Sequence, residues 1–282
     1  MIRISCDSTA DLSAELYRKY NIARMPLYIN LAGHEYEDGV DLTADRLFEI
    51  VRETGELPMT AARNIDDFVK YIEGVRGESG ADEVIHFAIS SDFSTSFNMA
   101  SLAAKDMKGV YVIDSRNLSS GIGLSVIAAC EMAAAGMKAE DIVRIAEDDI
   151  IPKVDASFIL DTLSFMAKGG RCSSVVALGA NLLKLKPCIE VVEGKMRVGK
   201  KYRGTLERCL KLYIEDRLAD LDNIRPDRIF VTSAGCPKEI QQTCVEQVKA
   251  LGYFKEVLCT EAGCTVSSHC GPGTLGVLFI HK

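Results

Sequence analysis

Short apolar runs alternate with amphipathic stretches along the first half of the chain, and that alternation predicts strands and helices in turn. Ile2 to Cys6 reads as a strand and Leu12 to Tyr20 as a helix. Val84 to Ile89 is a strand, followed by a helix through Met99 to Lys105. Val110 to Ile113 is a strand, followed by a helix from about Gly121 to Ala135 and another from Ala139 to Glu147. Strands that alternate with helices imply a mainly parallel sheet with helices on its faces. Ile151-Pro152-Lys153 then breaks the pattern, because proline stops helices, and marks a domain boundary.

The second half opens with Ser157 to Asp161 as a strand and a helix to about Lys168, ended by Gly169-Gly170. Pro187 to Val192 and Met196 to Val198 flank the turn Glu193-Gly194-Lys195, the pattern of a hairpin. A long helix is predicted from about Gly204 to Leu221, a strand at Arg228 to Thr232, and a helix at Lys238 to Leu251. Strands near Glu256 to Cys259 and Leu275 to Ile280 complete the chain. Before the last run lies a hydroxyl- and glycine-rich stretch, Ser267 to Gly276, with His269 inside it.

Composition narrows the function. The 282 residues suffice for one large or two ordinary domains. A formal net charge of −7 gives no general affinity for nucleic acid. The apolar-leaning helix from Gly123 to Met137 is interrupted by Glu131 and is too short to span a bilayer. The start, Met1-Ile2-Arg3-Ile4-Ser5-Cys6-Asp7, turns polar too soon for a signal peptide. The ten cysteines include no C-x-x-C pair, so reduced thiols in a cytoplasmic protein are expected. Cys259, Cys264 and Cys270 lie near His269, but their spacing matches no standard zinc site, and no metal is expected.

Three strand ends share one design. Asp7-Ser8-Thr9-Ala10-Asp11, Asp92-Phe93-Ser94-Thr95-Ser96 and Asp114-Ser115-Arg116-Asn117-Leu118-Ser119-Ser120-Gly121 each follow an apolar strand. In open α/β sheets, ligands bind where strands end and helices begin, and hydroxyls and free N–H groups there suit an anion. Asp7, Asp11 and Asp114 would repel an anion and are read as caps or loop braces. Ser94, with hydroxyl neighbours, is the better ligand. Arg171, just after Gly169-Gly170, can reach an acidic group, and His269 can bind an oxyanion or move a proton. His34, His86 and His281 lack such a setting and read as structural. A serine-type acyl hydrolase built on Ser94 and His269, with Asp114 orienting the imidazole, stays open, although no G-x-S-x-G elbow is present. So does a binding protein or sensor for another small acid.

An ordered set of motifs points further: Asp7-Ser8-Thr9-Ala10-Asp11-Leu12, Ile89-Ser90-Ser91-Asp92-Phe93-Ser94, Val112-Ile113-Asp114-Ser115, Asp161-Thr162-Leu163, Lys168-Gly169-Gly170-Arg171, Leu185-Lys186-Pro187, Tyr202-Arg203-Gly204 and His269-Cys270-Gly271-Pro272-Gly273. Together they resemble the DegV family of bacterial fatty-acid-binding proteins, over Ile2 to Phe279. The resemblance implies a two-domain α/β fold: an N-terminal domain over 1–153 with a mainly parallel sheet, and a smaller lipid-binding domain over 154–282 with a mixed sheet. It implies a non-catalytic carrier that holds one long-chain fatty acid in an apolar tunnel, with no cofactor, and presents it to a fatty acid kinase for acyl-phosphate formation in phospholipid synthesis. The matching carboxylate-binding positions are Thr60, Ser94, Arg171 and His269. Ser96, Asn98 and Gly271 are further candidate loop contributors. Separately, the basic residues Lys200, Lys201, Arg203 and Arg208 read either as a docking face for an acidic partner such as the kinase, with Arg203 its candidate residue, or as a solvated charged face. A monomer with transient membrane contact fits such a carrier.

The chain departs from the family pattern in two places. A usual Thr-Ser-Gln-Pro-Ser stretch reads Thr60-Ala61-Ala62-Arg63-Asn64, and a usual Leu-Ser-Gly-Thr-Tyr-Gln reads Phe93-Ser94-Thr95-Ser96-Phe97-Asn98. The first change removes polar donors; the second removes a flexible glycine.

Overall fold

A computed structural model describes residues 1–178 and 185–282. Among the described residues the strands are β1 (Ile2–Asp7), β2 (Ala23–Met25), β3 (Tyr28–Leu31), β4 (His34–Glu37), β5 (Met59–Ala61), β6 (Glu83–Ala88), β7 (Val110–Asp114), β8 (Val154–Ile159), β9 (Leu185–Val192), β10 (Lys195–Arg203), β11 (Arg228–Ala234), β12 (Glu256–Glu261) and β13 (Thr274–Ile280). The α-helices are α1 (Ala14–Lys19), α2 (Ala44–Thr54), α3 (Ile65–Ser79), α4 (Ser96–Ala104), α5 (Ser120–Ala134), α6 (Ala139–Ile145), α7 (Ser164–Gly169), α8 (Ser173–Leu178), α9 (Leu206–Arg217), α10 (Lys238–Ala250) and α11 (Cys264–Cys270).

The alternating first half forms a four-stranded parallel sheet in the order β2-β1-β6-β7. The second half forms a six-stranded mixed sheet in the order β10-β9-β8-β13-β11-β12. Only β11 and β12 run parallel within it. The hairpin β9–β10 turns at Glu193-Gly194, both at positive φ, as tight hairpins require.

Helix α5 joins the two sheets, packing against β1 and β6 on one side and β8 and β13 on the other. Its sequence explains the placement. Ser120 to Cys130 contains no charged residue, and a helix that is apolar all round is buried. Ile122, Leu124, Val126 and Ile127 are fully buried, in a single apolar cluster that extends from Ile4 to Ile280.

Strand β2 and helix α8 were not expected from the sequence, and three further differences bear on the cavity. Residues 28–61 hold a small antiparallel sheet, β4-β3-β5, together with the amphipathic helix α2. Helix α3 follows, capped by Asn64, whose side chain accepts the Asp67 N–H at 2.9 Å, and ended by Gly80 at φ +62. The stretch around His269, read as a loop, is the helix α11.

Helix α11 is held from afar. The Asp38 carboxylate, 1% exposed, accepts Cys264 N–H (2.7 Å), Thr265 N–H (3.1 Å), Thr265 Oγ1 (2.6 Å) and Ser8 Oγ (2.9 Å). Asp11 accepts Gly263 N–H at 2.8 Å and Ser119 Oγ at 2.6 Å. Removing Asp38 strands several buried donors. Asp38→Ala is therefore expected to lower the free energy of unfolding by about 3 kcal/mol, read from urea denaturation followed by circular dichroism. A loss below about 0.5 kcal/mol would show that the bonds to Asp38 contribute no net stability.

Candidate functional site

Thr60, on β5, pairs with Ile29 of β3 across the small sheet. Helix α11 packs against β3 and β5, and this contact brings together residues more than two hundred positions apart. The Thr60 Oγ1 and His269 Nε2 atoms are 2.9 Å apart. Arg171 enters from the turn after α7, and Ser94 from the loop between β6 and α4.

These four residues line one cavity of about 460 Å³. Its polar end also carries Asn64 and Thr95; its walls include Leu27, Ile89, Phe93, Met99, Leu118 and Val266. Met196 of β10 completes the wall. That hairpin is fastened across the cavity by Ser90 Oγ, which donates to the Gly194 carbonyl at 2.8 Å, and by Arg116 Nη2, which donates to the Glu193 carbonyl at 2.6 Å. A chamber of about 20 Å³ lies beyond Leu118, Val266 and Cys270, which border both spaces.

Two arginines and no carboxylate border the main cavity. Arg63, not foreseen as a site residue, is already neutralised: its Nη2 donates to Glu37 at 2.7 Å, its Nε to the Pro26 carbonyl at 2.6 Å, and its guanidinium stacks on Tyr28. Its place directly after Thr60-Ala61-Ala62 was the available signal. Arg171 differs. It donates Nε to the Phe93 carbonyl (3.2 Å) and Nη1 to the Gly169 carbonyl (2.6 Å), and forms no ion pair among the described residues. Its positive charge at the cavity's polar end is uncompensated.

His269 is neutral at pH 7. Burial, and then the Arg171 charge, lower its pKa from 6.5 to about 4. Nδ1 is buried without a hydrogen-bond partner among the described residues. An orphaned donor is rarer in buried settings than an orphaned acceptor, so the proton belongs on Nε2, donated to Thr60 Oγ1. The Thr60 hydroxyl is then free to donate to a ligand. Ser94 Oγ accepts the Ser96 N–H at 3.1 Å and lies 3.0 Å from Ser96 Oγ.

The other sequence candidates lie elsewhere. Ser96 is buried behind Ser94 at the start of α4; Asn98 is exposed on that helix; neither borders the cavity. Gly271, at φ +73, packs under Phe165 after α11 and is also outside the lining. Ala61 and Ala62 do border it, so the altered loop faces the ligand space. Arg203 is exposed at the end of β10. Asp114 accepts Ser91 N–H, Ser91 Oγ and Arg116 N–H rather than orienting His269, and no hydrogen bond joins Ser94 to the imidazole among the described residues. The hydrolase arrangement is therefore not assembled. His86 bridges Ser5 and Asp7 inside the parallel sheet, His281 contacts Asp155, and His34 is exposed on β4. Cys264 and Cys270 are buried, Cys259 is exposed, and no three metal-ligating side chains converge among the described residues.

The cavity of this α/β protein thus combines apolar walls with a cationic arginine and several hydroxyls. The chain belongs to the DegV family: the family model described as "Uncharacterised protein, DegV family" matches residues 1–282. A DegV domain-containing protein of Deinococcus radiodurans is 32% identical, with 98% of this chain and 97% of that protein covered. A fatty acid-binding protein of Thermotoga maritima is 29% identical, covering 98% and 96%. The structure of a fatty-acid-binding DegV family protein from Thermus thermophilus superposes with a TM-score of 0.90 at 29% identity over 100% of this chain and 99% of that one. DegV of Bacillus subtilis, described as a fatty acid binding protein, gives 0.86 at 27% identity, again over 100% and 99%.

The depressed pKa of His269 has a sign that can be measured. Between about pH 6.5 and 4 the unfolded chain binds a proton at His269 that the folded, ligand-free protein refuses, so stability falls as pH drops through that window. The loss from this group is on the order of 3 kcal/mol. His269→Gln, freed of lipid, is expected to lose stability less steeply than wild type between pH 7 and 4 in thermal melts. Parallel curves would contradict a buried neutral imidazole.

Proposed function

We propose that this protein binds one long-chain fatty acid in the cavity, its carboxylate among Thr60, Ser94, Arg171 and His269 and its tail along the apolar wall. The charge of Arg171, without an ion pair among the described residues, beside the hydroxyls and apolar walls of the cavity carries the reading. A buried carboxylate is costly unless paired and hydrogen-bonded, and Arg171 with the Thr60 hydroxyl meets both needs. The volume falls within the range of ligand cavities, about 300–1,000 Å³, and Leu27, Ile89, Phe93, Met99, Leu118 and Val266 offer apolar surface to a tail. Each buried methylene contributes about 0.8 kcal/mol, so a sixteen-carbon tail offers roughly 10 kcal/mol before ordering costs. The fatty-acid-binding relatives support the same ligand class.

The carrier role extends this reading. In it, chemistry on the carboxyl group falls to a separate fatty acid kinase, a role that fits a sequence without a P-loop. Arg171 is solvent-exposed as well as cavity-lining, which suits a head group within a partner's reach. Arg203, Lys201 and Arg208 remain candidates for an electrostatic docking face; Lys200 is already tied to Asp216 at 2.5 Å.

Native mass spectrometry of protein purified from cells should show a copurified fatty acid. Arg171→Ala should then weaken binding of hexadecanoic acid by about ten- to a hundredfold, and Thr60→Val by a similar or smaller factor. Ala61→Ser in the Thr60→Val background should restore part of it. Wild-type affinity in all three variants, in a competition titration with a fluorescent fatty acid, would remove the head group from this end of the cavity. For docking, Arg203→Glu should slow kinase-coupled phosphorylation and flatten its salt dependence while leaving lipid affinity unchanged. An unchanged rate and salt dependence would exclude Arg203 from the docking face.

A further inference from the structure

Gly169, the last residue of α7, touches both head-group side chains. Its carbonyl accepts the Arg171 Nη1–H at 2.6 Å. Where a side chain would stand there is the imidazole of His269. A Cβ built on Gly169 lies 3.1 Å from His269 Cε1 and 3.4 Å from Cγ, and nearer to Nδ1 than any van der Waals contact allows. The backbone does not ask for glycine at this position. Gly170 sits at φ +67 and needs it, whereas Gly169 is outside the left-handed region. In a helix, alanine is intrinsically the better residue. The missing side chain is therefore explained by the space it leaves, and the bare Cα fits a buried Nδ1 that has no hydrogen-bond partner among the described residues.

We infer that Gly169 is a positioning residue for the head group: its absent side chain seats His269 against Thr60, and its carbonyl steadies Arg171 beside the same ligand. The inference rests on the fatty-acid reading, and it adds a residue that touches no ligand. A methyl group at Gly169 meets the ring edge-on at Nδ1, from α7. The imidazole is held on its other edge by Thr60 and cannot retreat without breaking that 2.9 Å contact. Overpacking of this kind is relieved by moving the flexible partner, so the ring leaves its seat and the Thr60 hydroxyl loses its orientation.

Four proteins test this: wild type, Gly169→Ala, His269→Ala and the double variant, each delipidated and titrated with hexadecanoic acid against a fluorescent fatty acid. Gly169→Ala is expected to weaken binding by about tenfold when His269 is present. In the His269→Ala background the methyl occupies vacated space, and the same substitution is expected to change affinity by less than about twofold. Without ligand, the imidazole resonances of His269 in the NMR spectrum should shift in Gly169→Ala. Unchanged affinity and unchanged resonances in Gly169→Ala, with binding weakened by His269→Ala, would overturn the inference and leave the fatty-acid reading intact. Wild-type affinity in His269→Ala would remove the imidazole from the head group, and the inference would fall with it. If Gly169→Ala unfolds but the double variant folds, the clash is with the imidazole, as inferred; unfolding in both backgrounds would place the harm elsewhere and overturn it.

Discussion

Two buried carboxyl groups, Asp38 and Asp11, decide where the helix that carries His269 sits. Helix α11 has seven residues, too few to hold a helical turn unaided in water. Asp38 and Asp11 occupy the N–H groups at its start, and both come from the opposite end of the chain. From that anchor Thr265, Val266, His269 and Cys270 all reach the cavity. The arrangement carries a cost. Burial, with Asp38 adding to it, pushes the Asp11 carboxyl up to about 8 despite the bonds from Ser119 and Gly263. Ser119 itself is held at φ +54 to make its bond. The same contacts fix Leu118 and α5, so the anchor sets the cavity wall as well as its polar end.

Electrostatics then separate the roles of the two basic groups in the site. His269 is neutral because it is buried beside Arg171, which leaves the permanent charge to arginine and the hydrogen-bond geometry to the imidazole. In the proposed reading, a carboxylate at this end meets a guanidinium without an ion pair among the described residues and the Thr60 hydroxyl beside a neutral ring. Arg63 is shielded by Glu37 and Tyr28 and serves as wall. The β9–β10 hairpin, fastened through Ser90 and Arg116, carries Met196 over the apolar side and makes the wall a product of both sheets.

The parallel sheet was legible because Asp7, the Ser90-Ser91 pair and Asp114 punctuate apolar runs that end at one edge. Helix α5 was legible from its uncharged run. Helix α3 was also signalled, by Asn64, Asp66 and Asp67 ahead of Phe68, Ile72 and Val75 with Gly80 behind, and that signal was passed over. The sheet of β3, β4 and β5 was not legible: its strands have four residues or fewer, and His34-Glu35-Tyr36-Glu37 carries no buried alternation. Helix α11 was hidden for a different reason. Cys264-Thr265-Val266-Ser267-Ser268-His269-Cys270 is built of weak helix formers, and its caps lie far away in sequence at Asp38 and Asp11. Ser94, Arg171 and His269 stood out as residues with a chemistry; that they share one cavity with Thr60 is tertiary information, carried by the packing of α11 on β5.

Whether a carboxylate sits among Thr60, Ser94, Arg171 and His269 is tested most directly by a crystal structure of the protein with hexadecanoic acid. Continuous acyl density along Ile89, Phe93, Leu118 and Val266 is expected, with carboxylate oxygens within about 3.2 Å of Thr60 Oγ1 and an Arg171 nitrogen. A reversed acid, with its methyl end at Arg171, or an acid bound outside this cavity would contradict it.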